Sequence, residues 1–359
     1  MKPARLFKKV TDMEPLLPED RDGKLHQIGS EVIRRAERLR GALHPLTRKG
    51  VVDLVRSMNS YYSNLIEGHR TTPREIDAAL RREFSGNVKQ RNVQQLHWAH
   101  VETQRWMESQ LPHQRPATIC SAEFLCELHR EFYRRLPVEF QTLQDEVGKK
   151  HPVLPGVLRT SVVSVGRHLA PGHEQLPSFL NRFADVYGPL VSTKPEGLIA
   201  AVAAHHRLTW IHPFFDGNGR VTRLFTQAWL QAADAAADGL WTLSRGLARA
   251  QDLYRAALSN ADEIRLNDID GRGYLSERRL TEFCEFMLST AVDQLDFMQR
   301  LLDLETMQNR ILGYAERRVS AKELPAGSGS CCEKCSCGGR SRGARSRESS
   351  VSPLERARR

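Results

Sequence analysis

"HPFFDGNGRVTRLF", residues 212–225, joins two helical patterns. Val221, Leu224, Phe225, Ala228 and Trp229 give the second of them a single apolar stripe. Arg220 and Arg223 lie three apart in its first turn, and "GNG" (217–219) precedes them with backbone freedom closed to residues carrying a Cβ. Helix N-terminal amides, two glycines and two arginines form a concave anion site. Two cations at the positive end of a helix are costly unless an anion belongs there. Asp216 is a hard oxygen donor suited to Mg²⁺, which binds through one carboxylate together with substrate phosphates. His212, ending the preceding helix, supplies a base near neutral pH. The set points to phosphoryl or nucleotidyl transfer. A glycine turn with solvated arginines explains the glycines but not the rest.

The chain around this loop reads as helical. "TKPE" (193–196) opens the preceding helix, which runs through "GLIAAVAAHHRLTWI" and stops near Pro213. Residues 88–111 and 121–136 carry helical patterns, the second capped by Ser121. From Ser276 to about Arg318 the spacing of Leu280, Phe283, Met287, Leu288, Val292, Leu295 and Met298 predicts one or more long helices. "PGVLRTSVVSVGRH" (155–168) is rich in β-branched residues between Gly and Pro, and predicts a short hairpin or flap.

With Arg223, "HPFFDGNGR" resembles the Fic motif, H-x-F-x-D/E-G-N-G-R-x-x-R, at every fixed position without a gap. The likeness continues through "AHHRLTWIHPF", "PGVLR" and "DIDGRGYLSERRLTEFCEFML", roughly 50 to 320. It implies an all-α Fic fold, a helical core with a β-hairpin flap, and transfer of AMP from ATP to a Ser, Thr or Tyr hydroxyl of a protein. It further implies that His212 takes the hydroxyl proton and that Asp216 holds Mg²⁺. The amides of Gly217 and Gly219 with the Asn218 side chain would form the anion hole. Arg220 would neutralise pyrophosphate, and Arg223 would take the γ-phosphate. Phe214 would pack, Tyr254 would wall the adenosine pocket as Leu258 and Asp262 do on the same face, and the flap (Arg159, Thr160, Ser161, Val162, Val163, on to Val165) would align a target by strand addition. The related Doc kinases replace the Gly and Arg of the anion hole by Ala and Lys; Gly217 and Arg220 are intact here, so a kinase ranks second.

"YYSNLIEGHR" (61–70) places Glu67 directly before Gly68, where a left-handed cap ends a helix whose apolar face is Val51, Val55, Met58, Tyr62 and Leu65. The negative end of the helix dipole disfavours a carboxylate there. "SNLIEG" (63–68) resembles the inhibitory motif S/T-x-x-x-E-G/N of Fic proteins, which implies that Glu67 pairs with Arg223 in place of the γ-phosphate while Ser63 steadies the helix end. In some such proteins the same glutamate holds a water that removes AMP, so a de-AMPylating hydrolase or a bifunctional enzyme is the alternative. A DNA-binding Fic regulator is a third reading. "TPRE" (72–75) is a capping box opening the next helix.

The 359 residues divide into an N-terminal helical segment (1–48), the inhibitory helix and those after it (49–115), a core with flap and loop (116–235), a helical extension (236–320) and a tail (321–359). Net charge is +10, and residues 331–359 hold +5 of it, seven Arg and Lys334 against Glu333, Glu348 and Glu355. A basic face for nucleic acid is therefore not expected on the folded part, and the tail would give DNA only salt-sensitive affinity. The tail composition predicts disorder, and its abrupt onset suggests a frameshifted remnant of a winged-helix domain. Cys120, Cys126 and Cys284 read as core residues; "CCEKCSCGG" (331–339) is a weak zinc signal. "DIDGRGYLSE" (268–277) mimics a calcium loop but has Leu266 where the first acid belongs. No apolar run suits a signal peptide or a membrane span, so the expected location is cytoplasmic. Expected partners are a target protein, the chain itself as substrate, and a second copy in a homodimer; neither a membrane nor specific DNA is expected.

Overall fold

The computed structural model describes residues 7–144, 150–166 and 168–328. The cysteine-rich and basic part of the tail, on which the disorder, zinc and frameshift expectations fall, lies outside the described residues. Two compact units divide the chain, one up to Gln299 and one from Arg300. In the second, α12 (Leu304–Ser320) begins with Asp303 accepting from the Thr306 amide at 3.0 Å.

The first unit is built from α1 (Lys24–Gly41), α2 (Pro45–Ile66), α3 (Pro73–Leu80), α4 (Val88–Gln110), α5 (Ala122–Tyr133), α6 (Leu176–Tyr187), α7 (Pro195–Ile211), α8 (Asn218–Ala232), α9 (Ser244–Arg249), α10 (Gln251–Ala261) and most of α11 (Glu277–Leu301). Its strands are two residue pairs and two triplets: β1 (Thr142–Gln144) with β2 (Lys150–Pro152), and β3 (Ser164–Val165) with β4 (His168–Leu169), both antiparallel. The fold is all-α with small hairpins, as the helical periodicity predicts.

Local chemistry sets the helix ends. Thr72 accepts from the Glu75 amide at 3.3 Å while the Glu75 carboxylate accepts from the Thr72 amide at 2.7 Å, so the capping box is made in both directions. Ser121 caps α5 through the Phe124 amide at 3.1 Å. α7 is buried on every side and so is central: Leu198, Ala200, Ala203, Leu208 and Ile211 are essentially inaccessible, as are the polar His205, His206 and Arg207. α1, α6 and α8 pack around it. α7 stops at His212, which takes a left-handed φ of +50° before Pro213. Proline disfavours a helical conformation in the residue before it.

Two features differ from expectation. The hairpin 164–169 is shorter than the predicted flap: Val163 adds only its carbonyl, accepting from the Ala170 amide at 3.1 Å, and residues 159–162 stand outside the ladder. The hairpin β1–β2 is not signalled by alternation, because three-residue strands are too short to show a period of two.

Candidate active site

The N-terminus of α8 is reached by a tight loop braced from inside. Gly217 has φ +79°, and a Cβ on it would stand 2.6 Å from the Tyr133 ring. Two constraints thus demand glycine there. Asn218 is buried, and its amide is spent on the loop itself: Oδ1 accepts from the Phe214 amide at 2.9 Å and Nδ2 donates to the Phe214 carbonyl at 2.8 Å. The side chain expected at the anion hole thus braces the loop. Phe214 is wholly buried and stacks on His129, ring centroids 4.0 Å apart.

His212 sits half-buried at the joint between α7 and the loop. Its left-handed backbone costs a residue with a Cβ about 1 kcal/mol or more, the kind of strain that collects at functional sites. Nδ1 lies 3.3 Å from the Thr209 carbonyl and has only an acceptor to meet, so it carries the proton and leaves Nε2 as a lone pair. Desolvation holds the imidazole down at about 4, neutral at physiological pH.

Asp216 receives two side-chain donors on one oxygen: Tyr133 hydroxyl at 2.6 Å and Arg220 Nη2 at 3.2 Å, both on Oδ2. Burial would raise its carboxyl, but the Arg220 charge and the Tyr133 hydrogen bond bring it below the usual carboxylate range. The side chain keeps 41% of its surface exposed. An ionised, anchored and accessible carboxylate fits a hard divalent cation.

Arg220 is buried over the Phe132 ring at 5.2 Å, and its Nε and Nη1 have no hydrogen-bond partner among the described residues. Buried donors left unpaired are expensive. Next to α8's first-turn amides they define the place for an anionic group.

Arg223 is satisfied from α2. Its Nε donates to Ser63 Oγ at 2.9 Å, and Nη2 donates to the Ser63 carbonyl at 3.0 Å and to Glu67 Oε1 at 2.6 Å. A Cβ on Gly219 would lie 2.5 Å from the same Glu67 oxygen, so the carboxylate occupies the surface of α8's first turn. Burial would raise the Glu67 carboxyl; the charges of Arg223 and Arg220 outweigh it and hold it below the ordinary value. Glu67 itself follows the helix: α2 ends at Ile66, and Gly68 takes φ +88°. The Ile66 carbonyl accepts from Gln251 Nε2 and Arg255 Nη2, each at 2.9 Å, which relieves the negative helix end that made a carboxylate there unfavourable.

The deepest face of α2 is not the apolar one read from its spacing. Asn59, Ser60, Ser63 and Asn64 are almost fully buried, whereas of the expected stripe Val55 is buried and Val51, Met58, Tyr62 and Leu65 are half-buried. The polar side chains are paired: Asn59 donates to Gln104 at 2.8 Å and accepts from Thr242 at 2.7 Å, and Ser60 donates to the His97 carbonyl at 3.0 Å. Ser63 and Glu67 thus lie on an inward polar stripe.

Two other expected site residues are buried against the site rather than open to solvent. Arg159 is buried and cannot contact a target segment; its guanidinium donates to the carbonyls of His212 at 2.8 Å and Ser161 at 2.8 Å and to that of Pro171, while its amide donates to Pro213 at 3.0 Å. It moors the flap to the loop. Thr160 and Val162 are exposed, and Ser161 and Val163 are half-buried. Tyr254 is buried beside Arg223. Thr226 gives its hydroxyl proton to the Thr222 carbonyl at 2.9 Å, so it accepts from His205 Nδ1 at 2.7 Å; His205 Nε2 then accepts from Tyr254 hydroxyl at 2.7 Å. Leu258 and Asp262 face His206, whose Nε2 is 3.1 Å from the Leu258 carbonyl and 3.2 Å from Asp262 Oδ1. In the calcium-like loop, Asp270 Oδ1 is taken by Ser276 hydroxyl at 2.9 Å and the Arg278 amide at 3.0 Å.

Sequence reasoning missed His129 and Tyr133, one turn apart on α5, which stack at 4.3 Å beneath the loop. It also missed Gln251 and Arg255. The His-x-x-x-Tyr spacing was visible, but only the packing of α5 on α8 gives it meaning.

The Fic/DOC family model matches residues 119–230. Among curated relatives, a protein adenylyltransferase Fic of Nematostella vectensis is 40% identical over 90 residues, which is 24% of this chain and 20% of the relative. That of Drosophila willistoni is 37% identical over 87 residues, 24% of this chain and 18% of the relative. The chain thus spans about a fifth of the length of these relatives. Among solved structures, a Fic family protein from Desulfovibrio desulfuricans G20 aligns with TM-score 0.53 at 20% identity, covering 75% of this chain and 73% of the other. A Fic domain containing signaling protein from Bacteroides thetaiotaomicron VPI-5482 aligns with TM-score 0.55 at 20% identity, covering 77% and 96%. These likenesses carry the fold well beyond the matched residues, and over residues 119–230 the chain carries a Fic/DOC family domain.

Proposed function

We propose that this chain transfers AMP from ATP to a hydroxyl of a protein, and that Glu67 restrains it. The observation that carries the reading is the buried Arg220 guanidinium, with two nitrogens unpaired among the described residues beside the first turn of α8. A polyphosphate offers several oxygens to accept from them and opposes the buried charge. The incoming hydroxyl attacks the α-phosphorus, the bond to the bridging oxygen breaks, and pyrophosphate leaves. The hydroxyl proton goes to His212 Nε2, the lone pair that the Thr209 carbonyl leaves open by holding Nδ1–H. First-turn amides and Arg220 take the charge that develops, preset in a partly dry site where such donors act strongly. Arg223 takes the terminal phosphate after Glu67 has left it. Asp216 would hold Mg²⁺, which supplies charge neutralisation across the phosphates when bound. Thr160 and Val162 offer the exposed backbone beside this loop for a target segment.

Intact-mass spectrometry after incubation of Glu67→Gly with Mg²⁺, ATP and lysate proteins tests the reaction class. An AMP-sized increase on a protein supports transfer of the α-phosphoryl group. A phosphate-sized increase supports a kinase instead. Loss of AMP from a previously modified protein incubated with the parent, and not with Glu67→Gly, supports the hydrolase.

A further inference from the structure

α5 puts two aromatic side chains under the Asp216 loop that no part of the proposed transfer uses. Tyr133 makes two kinds of contact there. Its hydroxyl donates to Asp216 Oδ2 at 2.6 Å, and its ring fills the space where a Cβ on Gly217 would stand, 2.6 Å away. His129 forms the next layer, stacked between Tyr133 at 4.3 Å and Phe214 at 4.0 Å. Its Nδ1 accepts from the Gly156 amide at 2.9 Å, so Nε2 carries the proton and donates to the Asp216 carbonyl at 3.3 Å. Side chain and main chain of Asp216 are therefore both fixed from α5, and the start of the flap is tied to the same layer.

The arrangement has a direction. Tyr133 and Arg220 both approach Oδ2. With two donors on Oδ2, the carboxylate is restrained in one orientation, and Oδ1 receives neither of these side-chain donors. Partners that hydrogen-bond a ligating carboxylate orient it, and losing one typically costs about 10- to 100-fold in metal affinity.

We infer that Tyr133 is a positioning residue for a divalent cation at Asp216, acting through its hydroxyl. The inference rests on the reading of Asp216 as a cation ligand. It does not require that transfer of AMP be the reaction.

The test uses the full chain as Glu67→Gly, alone and combined with Tyr133→Phe or Asp216→Asn. Free Mn²⁺ is followed by electron paramagnetic resonance during titration of each protein with a fixed amount of a non-hydrolysable ATP analogue. Analogue binding is measured separately in EDTA. Tyr133→Phe keeps the ring that packs on Gly217 and His129, so the expected result is Mn²⁺ affinity lower by about tenfold, with metal-free analogue affinity within about twofold. Asp216→Asn is expected to lose the protein-dependent Mn²⁺ binding altogether. A second variant, 3-fluorotyrosine at position 133, retains the donor and guards against misfolding of the first; its Mn²⁺ affinity is expected to match the parent within about threefold. Tyr133→Phe equal to the parent while Asp216→Asn is defective overturns the positioning role and leaves the cation reading intact. Asp216→Asn equal to the parent overturns the cation reading and the positioning role together. Equal loss in Tyr133→Phe and the fluorotyrosine protein assigns the effect to packing and also overturns the inference.

Discussion

Arg223 Nη2 lies 2.6 Å from Glu67 Oε1, so the carboxylate just after α2 closes an arginine in the second turn of α8. The pair is held from both sides: Ser63 binds the same guanidinium, and Gln251 and Arg255 hold the carbonyl of the residue before Glu67. A lone exposed ion pair contributes little. This one has a buried cation and four supporting hydrogen bonds.

The latch on Ile66 leads to the first prediction. Arg255→Met and Gln251→Leu remove donors from the last turn of α2 without touching Glu67 or Arg223. Each is expected to raise ATP affinity by a few-fold, and the double variant to approach Glu67→Gly. Isothermal titration with ATP measures this. Affinities unchanged in both single variants and in the double would show that α2 does not need the latch.

Gly219 supplies a geometric test. A methyl there meets Glu67 Oε1 at 2.5 Å and Arg223 Nη1 at 3.1 Å, while its helical backbone tolerates alanine. Gly219→Ala is expected to be destabilising in the parent and less so in Glu67→Gly. A coupling of about 1–2 kcal/mol in a urea-unfolding double-mutant cycle is the predicted size. Additive effects would mean that the carboxylate does not rest on this turn.

Asn218→Ala distinguishes bracing from ligand contact. Its side chain makes two hydrogen bonds to Phe214 in a buried loop, so the expected loss is about 1–3 kcal/mol of stability without any nucleotide present. Unchanged stability with weakened ATP binding would restore the side chain to the anion hole.

Much of the frame was legible in the sequence because it depends on neighbours. Pro213, the Thr72–Glu75 box, Ser121 and Gly68 act within a few residues, and each marks a helix end. The loop 212–223 was legible because its chemistry is concentrated in one stretch. What was not legible depends on partners far along the chain. Periodicity cannot tell that the polar stripe Asn59–Ser63 faces inward, since its partners His97, Gln104, Arg223 and Thr242 lie far along the chain. Arg159 reads as a surface cation until four carbonyls close around it. Tyr254 and Asn218 were assigned outward by resemblance, and their hydrogen-bonding groups turn inward to His205 and Phe214.

Stability is expected to fall in mild acid. His97, His129 and His205 have no exposed surface, and desolvation holds them neutral, at about 3, 4 and 3. The unfolded chain protonates them near 6.5. Their contribution is complete above that pH and is lost as pH falls toward 4, at up to about 1.4 kcal/mol per pH unit for each group. A melting temperature level above pH 7 and dropping steeply between 6.5 and 5 is predicted. A constant value to pH 5 would contradict the buried neutral state.

The central claim is that one carboxylate restrains a loop otherwise ready to act, and labelling with α-phosphate-labelled ATP and Mg²⁺ tests it most directly. Parent, Glu67→Gly and Glu67→Gly/His212→Ala are compared on the chain itself and on lysate proteins. The account predicts label on protein with Glu67→Gly, little with the parent, and none when His212 is also replaced. Equal labelling by parent and Glu67→Gly, or no label from any of the three, would contradict it.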